Sequence, residues 1–366
     1  MAPINIYEFE IAAKEILQGS EYDFIAGGAT DEITIRRNRA VFDAICLHSR
    51  VLSGVRNADV RTTALGEPID LPILAAPAGD HGRAHAEAEL ATVRACHGAG
   101  TIMVLSSGSA KTLEEVADQS EGPIWYQHYL YRDRSLTLKM ASRAADAGCS
   151  ALCLTLDSGA RTRRERNIRN GYVAALSPNY AGLAVAEPSW QISGDEPRGV
   201  TALIDRTATW DDLADFVHAT SMPVVVKGIM TAEDAVHAVR SGARGIVVSN
   251  HGGRHLDTTL TPIEVLPDIA SAVGDAAEVF LDGGIRRGTD IVKALALGAR
   301  AVMIGRPVFW GLAVAGEHGV RSVFDILREE LLGTLEMCGV PDLTAVDRSI
   351  VALSSPLGLN IAVQLT

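Results

Sequence analysis

One pattern of apolar and polar positions returns along the chain. A helix-like stretch stops at a glycine, four or five apolar residues follow, and the run ends at a small or hydroxyl-bearing side chain. It occurs at His97–Ser106, Ala147–Thr155, Ser241–Ser249 and Leu297–Gly305. Glycine at the stop suits a left-handed helix cap, since a residue without Cβ enters that conformation at no steric cost. The continuous apolar run suits a parallel strand buried on both faces. Four further apolar runs, Pro72–Ala78, Pro123–Tyr129, Pro223–Lys227 and Val279–Asp282, bring the strand candidates to eight. Helical patterns separate most of them, as at Ser135–Ala147, Ala232–Ser241 and Thr289–Leu297. Regular alternation predicts an α/β protein with a parallel sheet, and eight units predict a closed (β/α)8 barrel. An open doubly wound sheet is the alternative; no GxGxxG turn follows the first strand to support it.

Residues 1–65 precede the barrel as a predicted helical extension. Residues 158–205 carry no strong barrel pattern and contain Ser177-Pro-Asn and Gly194-Asp-Glu-Pro-Arg-Gly199. An insertion after the fourth strand lies at the C-terminal face of a barrel, so this stretch reads as a lid. The whole chain, 1–366, is predicted to be a single domain.

Composition narrows the class. With 47% hydrophobic and 21% charged residues the chain has the apolar content for a sizeable core and reads as a soluble globular protein. A net charge of −12 argues against a nucleic-acid partner. Met1–Leu17 lacks the basic and apolar blocks of a signal peptide, and no run reaches the roughly 18 apolar residues that span a bilayer. The expectation is a cytoplasmic protein with no membrane association. Five cysteines, an odd number with no zinc-like spacing, read as free thiols in a reducing compartment, and no metal site is expected.

The polar outliers fall at predicted strand ends: Ser106, Gln127 with Tyr129, Thr155 with Asp157, Lys227, Ser249-Asn-His-Gly-Gly-Arg254, Asp282-Gly-Gly-Ile-Arg286, and Gly305-Arg306. Active sites of (β/α)8 enzymes are built on that face. Gly283 and Gly284 let the backbone approach an anion while Arg286 and Arg306 supply charge, and the loops after strands seven and eight are common phosphate sites. His251 has the side chain to take a proton near neutral pH. Arg254, three residues on, can grip a carboxylate through two parallel hydrogen bonds.

These segments resemble the FMN-dependent 2-hydroxy-acid oxidases and dehydrogenases: glycolate oxidase, lactate oxidase and mandelate dehydrogenase. Ser249–Arg254 matches the family's active-site segment; Asp282–Asp290 and Ile304–Pro307 match its phosphate segments. The similarity runs from about residue 5 to residue 340. The resemblance implies FMN as cofactor and oxidation of a 2-hydroxy acid to a 2-oxo acid, with O2 or another acceptor reoxidising the flavin. His251 would be the base, oriented by Asp157. Lys227 would stabilise negative charge on the reduced ring. Ser106, Gln127, Thr155, Ser249 and the backbone near Pro77, Ala78 and Gly79 would bond the flavin. Asp282, Gly283, Gly284, Arg286, Gly305 and Arg306 would enclose its phosphate. Arg254 would hold the substrate carboxylate, Tyr129 would face the hydroxyl, and Arg164 would come from the lid. A homotetramer is implied as well.

The chain departs from the family at several positions. Phe24 stands where a Tyr usually contributes a hydroxyl to the carboxylate. Gly108 stands near where glycolate oxidases carry a bulky Trp, leaving room for a larger substrate or for different packing. Gly79 replaces the Ala of several oxidases, as in mandelate dehydrogenases, which weakens the inference of fast O2 use. Arg161 adds a cation in Ser158–Arg166, and Asp80, His81 and Arg83 replace a more apolar stretch. Together these predict a substrate larger or more polar than glycolate or lactate, such as one carrying a second anionic group, with a merely solvated, salt-bridged lid as the alternative. Two other readings stay open: a flavin barrel with different chemistry, such as oxidative decarboxylation or isomerisation, and a barrel that binds FMN without turnover.

Overall fold

The computed structural model describes residues 2–158, 162–172, 176–182 and 199–353. Eight parallel strands close on themselves: β1 Ile73–Ala75, β2 Met103–Ser106, β3 Ile124–His128, β4 Ala151–Thr155, β5 Val224–Ile229, β6 Gly245–Val248, β7 Glu278–Asp282 and β8 Ala301–Ile304. Each pairs with the next in sequence, and β8 returns to β1 through Val302↔Ile73, Met303↔Leu74 and Ile304↔Ala75. All eight predicted strands are present, so the closed barrel holds and the open sheet does not. The four glycines that end the repeating helices, Gly100, Gly148, Gly242 and Gly298, all have positive φ, between 70° and 111°. Their lack of Cβ is what allows each helix to turn directly into a strand.

Alternation along each strand separates two cores. Leu74, Val104, Trp125, Cys153, Val225, Val247, Phe280 and Met303 point inward and fill the barrel, with Trp125 edge-on to Phe280 at 5.4 Å. The alternate residues, such as Leu105, Leu152, Val226 and Ile246, pack outward against the helices. The cysteines are free thiols, four of them buried.

The region before the barrel is less uniformly helical than its composition implies. Helices α1 Ile6–Ile16, α2 Gly19–Ala26 and α3 Ile33–Ala44 are present. Residues Ile45–Leu47 then form a short strand that pairs antiparallel with Val351–Leu353. A hairpin, Thr62–Ala64 with Glu67–Ile69, places Ala64 and Ile69 against the barrel interior. Three-residue strands are too short to show a period of two, which is why the pattern missed them. Within the predicted insertion the described parts include the helix Glu165–Arg169 and the turn Pro178–Tyr180. Arg161 lies outside the described residues. No helix among the described residues is long and apolar enough to cross a membrane.

Candidate active site

The segment after β6 is built around a turn that a side-chain-bearing residue rarely makes. His251, Gly252 and Gly253 all have positive φ, at 56°, 63° and 73°. The two glycines take that conformation freely; His251 does so under restraint. The Asn250 carboxamide supplies part of that restraint, since its oxygen accepts from the Gly253 amide at 3.1 Å and from Asn38 Nδ2 at 2.9 Å. Further along, Asp257 accepts the amides of Thr34 at 2.7 Å and Ile33 at 3.2 Å and the Thr30 hydroxyl at 3.0 Å. A carboxylate from this loop thus satisfies the open first turn of α3, tying it to the helical extension.

The turn delivers His251 to Asp157, two residues beyond β4, with Nδ1 and Oδ1 2.9 Å apart. Burial alone would raise the Asp157 pKa, but His251 and Lys227 hold its carboxyl well below the usual range, so it is an anion. An anion only accepts, so His251 Nδ1 carries the hydrogen and Nε2 is left with a lone pair. Burial pushes the His251 pKa below its ordinary value; Asp157 opposes the shift while Lys227 and Arg164 reinforce it. The ring is therefore neutral at neutral pH. Gly228 makes room for this pair: its φ is +105°, and a Cβ there would lie 2.6 Å from Asp157 Cβ.

Lys227 lies within β5, which runs on to Ile229 rather than ending at the lysine. It is buried, donates to Ser249 Oγ at 2.7 Å and pairs with Asp282 at 3.0 Å. Burial disfavours its charge, yet Asp282 and Asp157 raise its pKa overall, so it stays an ammonium. Around it at the strand ends stand Ser106, which donates to Gln127 at 3.1 Å, and buried Thr155. The Tyr129 phenol is pushed up by burial and by Asp157, so it remains a hydrogen-bond donor.

Four arginines complete the face. Arg254 Nη1 donates to the carbonyls of Phe24 at 2.8 Å and Gly27 at 2.9 Å. Arg306 donates to Ile25 at 3.1 Å, Gly27 at 3.1 Å and Gly252 at 3.0 Å. Arg164 Nε donates to the Arg254 carbonyl at 3.3 Å, and Arg286 stacks over Trp310 at 4.6 Å. Among the described residues no carboxylate forms an ion pair with any of the four. Burial depresses all four pKa values; mutual repulsion adds to it for Arg254 and for Arg306, which falls to about 10. Part-buried cations gathered on one face with no carboxylate in ion-pair contact favour anions that join them. Beside Arg286, Gly283 and Gly284 have φ of 94° and 88°, and a Cβ on Gly284 would sit 2.1 Å from the Asn38 carbonyl. The close approach of α3 accounts for Gly284, and the feature here that fits a phosphate is the part-buried Arg286 guanidinium at the end of β7. Arg306 sits differently from a simple phosphate ligand: it shares the Gly27 carbonyl with Arg254 and so links the two cationic ends of the site.

The departures from the family pattern acquire a setting. Phe24 stacks on Tyr172 with ring centroids 4.5 Å apart, and Arg254 lies over Phe24 at 5.2 Å. Tyr172 lies in a stretch without periodicity, and nothing in the sequence marked it. Gly108 and Gly79 touch: the Asp80 amide donates to the Gly108 carbonyl at 3.0 Å, and a Cβ on Gly79 would meet that oxygen at 2.9 Å. Gly79 is thus required by close approach of two loops. Arg83, with Tyr172 beneath it at 4.5 Å, is neutralised by Asp80 and Glu21. His255 is a second residue the sequence did not single out, edge-on to His251 at 4.1 Å. By distance alone Asp157, His251 and His255 could ligate a metal ion. Lys227 and Arg164 oppose a cation there, and Asp157 is already committed to His251.

A family model described as FMN-dependent dehydrogenase matches residues 13–353. An L-lactate oxidase of Nostoc sp. is 44% identical, with 96% of this chain and 99% of that protein covered. The glycolate oxidase of Spinacia oleracea is 42% identical over 95% of each. A crystal structure of mandelate oxidase with benzoyl-formic acid superposes with a TM-score of 0.84 at 37% identity, covering 95% of this chain and 98% of that one. The two cationic ends of the site, the His251–Asp157 pair and these matches agree: the chain belongs to the FMN-dependent 2-hydroxy-acid oxidase family.

Proposed function

We propose that this protein oxidises a 2-hydroxy acid with His251 as the base. The observation that carries this is the His251–Asp157 contact, which leaves Nε2 of a neutral imidazole free beside buried cations. Arg254 binds the substrate carboxylate, with Arg164 adding charge, and this fixes the orientation of the α-carbon. His251 Nε2 takes one of the two protons the substrate loses, and Asp157 stabilises the imidazolium that results. Tyr129 donates to the substrate oxygen. FMN, when bound, supplies the two-electron acceptor that a protein side chain lacks. Lys227 and Ser249 hold donors where negative charge on the flavin ring would gather, and Ser106, Gln127, Thr155 and the Pro77–Gly79 backbone line its polar edge. Gly283, Gly284 and Arg286 hold the phosphate, with Asp282, Gly305 and Arg306 beside them.

The substrate we assign is larger than glycolate or lactate and carries a flat apolar group. Phe24 and Tyr172 form a stacked pair next to Arg254, and Arg83 is already neutralised, which disfavours a second anion. The oxidase names of the relatives favour O2 as the reoxidant. A homotetramer in the cytoplasm completes the proposal. Anaerobic mixing with a panel of 2-hydroxy acids, both enantiomers, tests it through loss of flavin visible absorbance. Bleaching by aryl or branched acids supports the reading, and admitting O2 then shows whether it is the acceptor. Bound flavin that no 2-hydroxy acid bleaches overturns it.

A further inference from the structure

His255 has both ring nitrogens occupied, and by hydroxyls from the segment after β4. Nδ1 lies 2.9 Å from Thr162 Oγ1 and Nε2 lies 3.3 Å from Ser158 Oγ. Ser158 Oγ in turn donates to Asp157 Oδ1 at 3.4 Å, the oxygen that receives His251 Nδ1–H. The direction of every bond follows from Asp157 being an anion. Ser158 gives its only hydrogen to the carboxylate, so toward His255 it accepts. His255 Nε2 therefore carries the hydrogen, Nδ1 is bare, and Nδ1 accepts from the Thr162 hydroxyl. The result is a one-way chain, Thr162 to His255 to Ser158 to Asp157, meeting the His251 bond at a single carboxylate oxygen.

The surroundings keep His255 in that neutral form. Burial, His251, Arg164 and Lys227 together hold its pKa down to about 2, against the pull of Asp157. A neutral ring can serve as donor at one nitrogen and acceptor at the other, which is what the chain requires. Its edge-on packing at 4.1 Å also limits rotation of the His251 ring, whose own backbone is in the left-handed region.

We propose that His255 is a positioning residue for the catalytic base: it braces the His251 ring edge-on and orients Ser158 toward the Asp157 oxygen that receives His251 Nδ1–H, so that the bare Nε2 is held in one direction. This rests on His251 acting as base in the reaction assigned above. A base displaced or in the wrong tautomer loses rate while the carboxylate-binding arginine is untouched.

The test measures anaerobic single-turnover flavin reduction at saturating and limiting substrate in His255→Leu, His255→Gln, Thr162→Val and the Thr162→Val/His255→Leu double variant. His255→Leu should lower the limiting reduction rate by about 10- to 100-fold and leave the substrate Kd within about threefold. His255→Gln keeps one donor and one acceptor and should recover most of the rate. Thr162→Val should cost about 2- to 10-fold alone and nothing further in the His255→Leu background, because its hydroxyl acts through His255. In parallel, 15N spectra of labelled histidines should show His251 as the Nδ1–H tautomer set by Asp157 in both proteins, with its ring signals sharp in the parent and exchange-broadened in His255→Leu, where the brace is gone. A limiting rate within threefold of the parent in His255→Leu, losses that add in the double variant, or His251 ring signals as sharp in His255→Leu as in the parent would overturn the proposal. Should His255→Leu not fold, His255→Gln and Thr162→Val carry the same comparison. Reduction of the parent flavin by a 2-hydroxy acid reports separately on the function itself.

Discussion

Replacing Asp157 with Asn removes one charge and preserves an oxygen that can still accept from His251 Nδ1. At 2.9 Å and an effective dielectric of about 20, a carboxylate and an imidazolium attract by about 6 kcal/mol. Most of that is offset because the carboxylate was itself taken out of water, and the net worth of a charged hydrogen bond is about 1.5–3 kcal/mol. The plateau rate of anaerobic flavin reduction should therefore fall about 10- to 150-fold. The pH dependence carries a sign as well. Asp157 raises the His251 pKa, whereas burial, Lys227 and Arg164 lower it. Without Asp157 the imidazole stays neutral to lower pH, so the acid limb of the rate profile should move down while the plateau drops. Stopped-flow reduction across pH 5 to 9 measures both. An unchanged plateau, or an acid limb displaced upward, would refute the assignment of Asp157 as partner to the base.

Three further outcomes follow from the geometry. Arg286→Met should weaken FMN binding at least tenfold while the melting temperature of FMN-free protein holds or rises, since the cation removed is part-buried and has no ion-pair partner; calorimetry with and without FMN measures both. Asp257→Ala leaves the first turn of α3 uncapped and should cost about 1–2 kcal/mol in urea unfolding. The Asp257 pKa falls from 3.8 to about 2 on folding, so its contribution is complete above about pH 4 and is lost as pH falls toward 2. Gly228→Ala forces a Cβ onto Asp157 in a conformation alanine resists, and should lower the reduction rate more than it lowers FMN affinity, which titration of the apoprotein would show.

Much of the molecule was legible because the barrel repeats one solution. Four glycines with positive φ and eight apolar runs recur at intervals, and each repeat makes the next easier to recognise. The strand-end residues were legible for the same reason, since a parallel barrel gathers all its C-terminal strand ends on one face. What stayed hidden was what depends on distant partners. Tyr172 acquires meaning only through stacking on Phe24, 148 positions away in sequence. His255 sits inside a motif that draws the eye to His251 and Arg254, and its role depends on hydroxyls at Ser158 and Thr162. Gly108 was read as room for a larger substrate or as different packing, and the contact of its carbonyl with the Asp80 amide is one that no local pattern announces. The strand Ile45–Leu47 forms because a partner arrives from Val351–Leu353, which no local pattern could announce.

The central claim is that His251 takes a proton from a 2-hydroxy acid, and the most direct test is single-turnover reduction in His251→Asn under anaerobic conditions. The variant should bind FMN, and substrate should still perturb the flavin spectrum through Arg254. Reduction should slow by about 10²- to 10⁴-fold, the range a positioned general base contributes. Reduction at the parent rate, with the same substrate bound to the same flavin, would contradict the account.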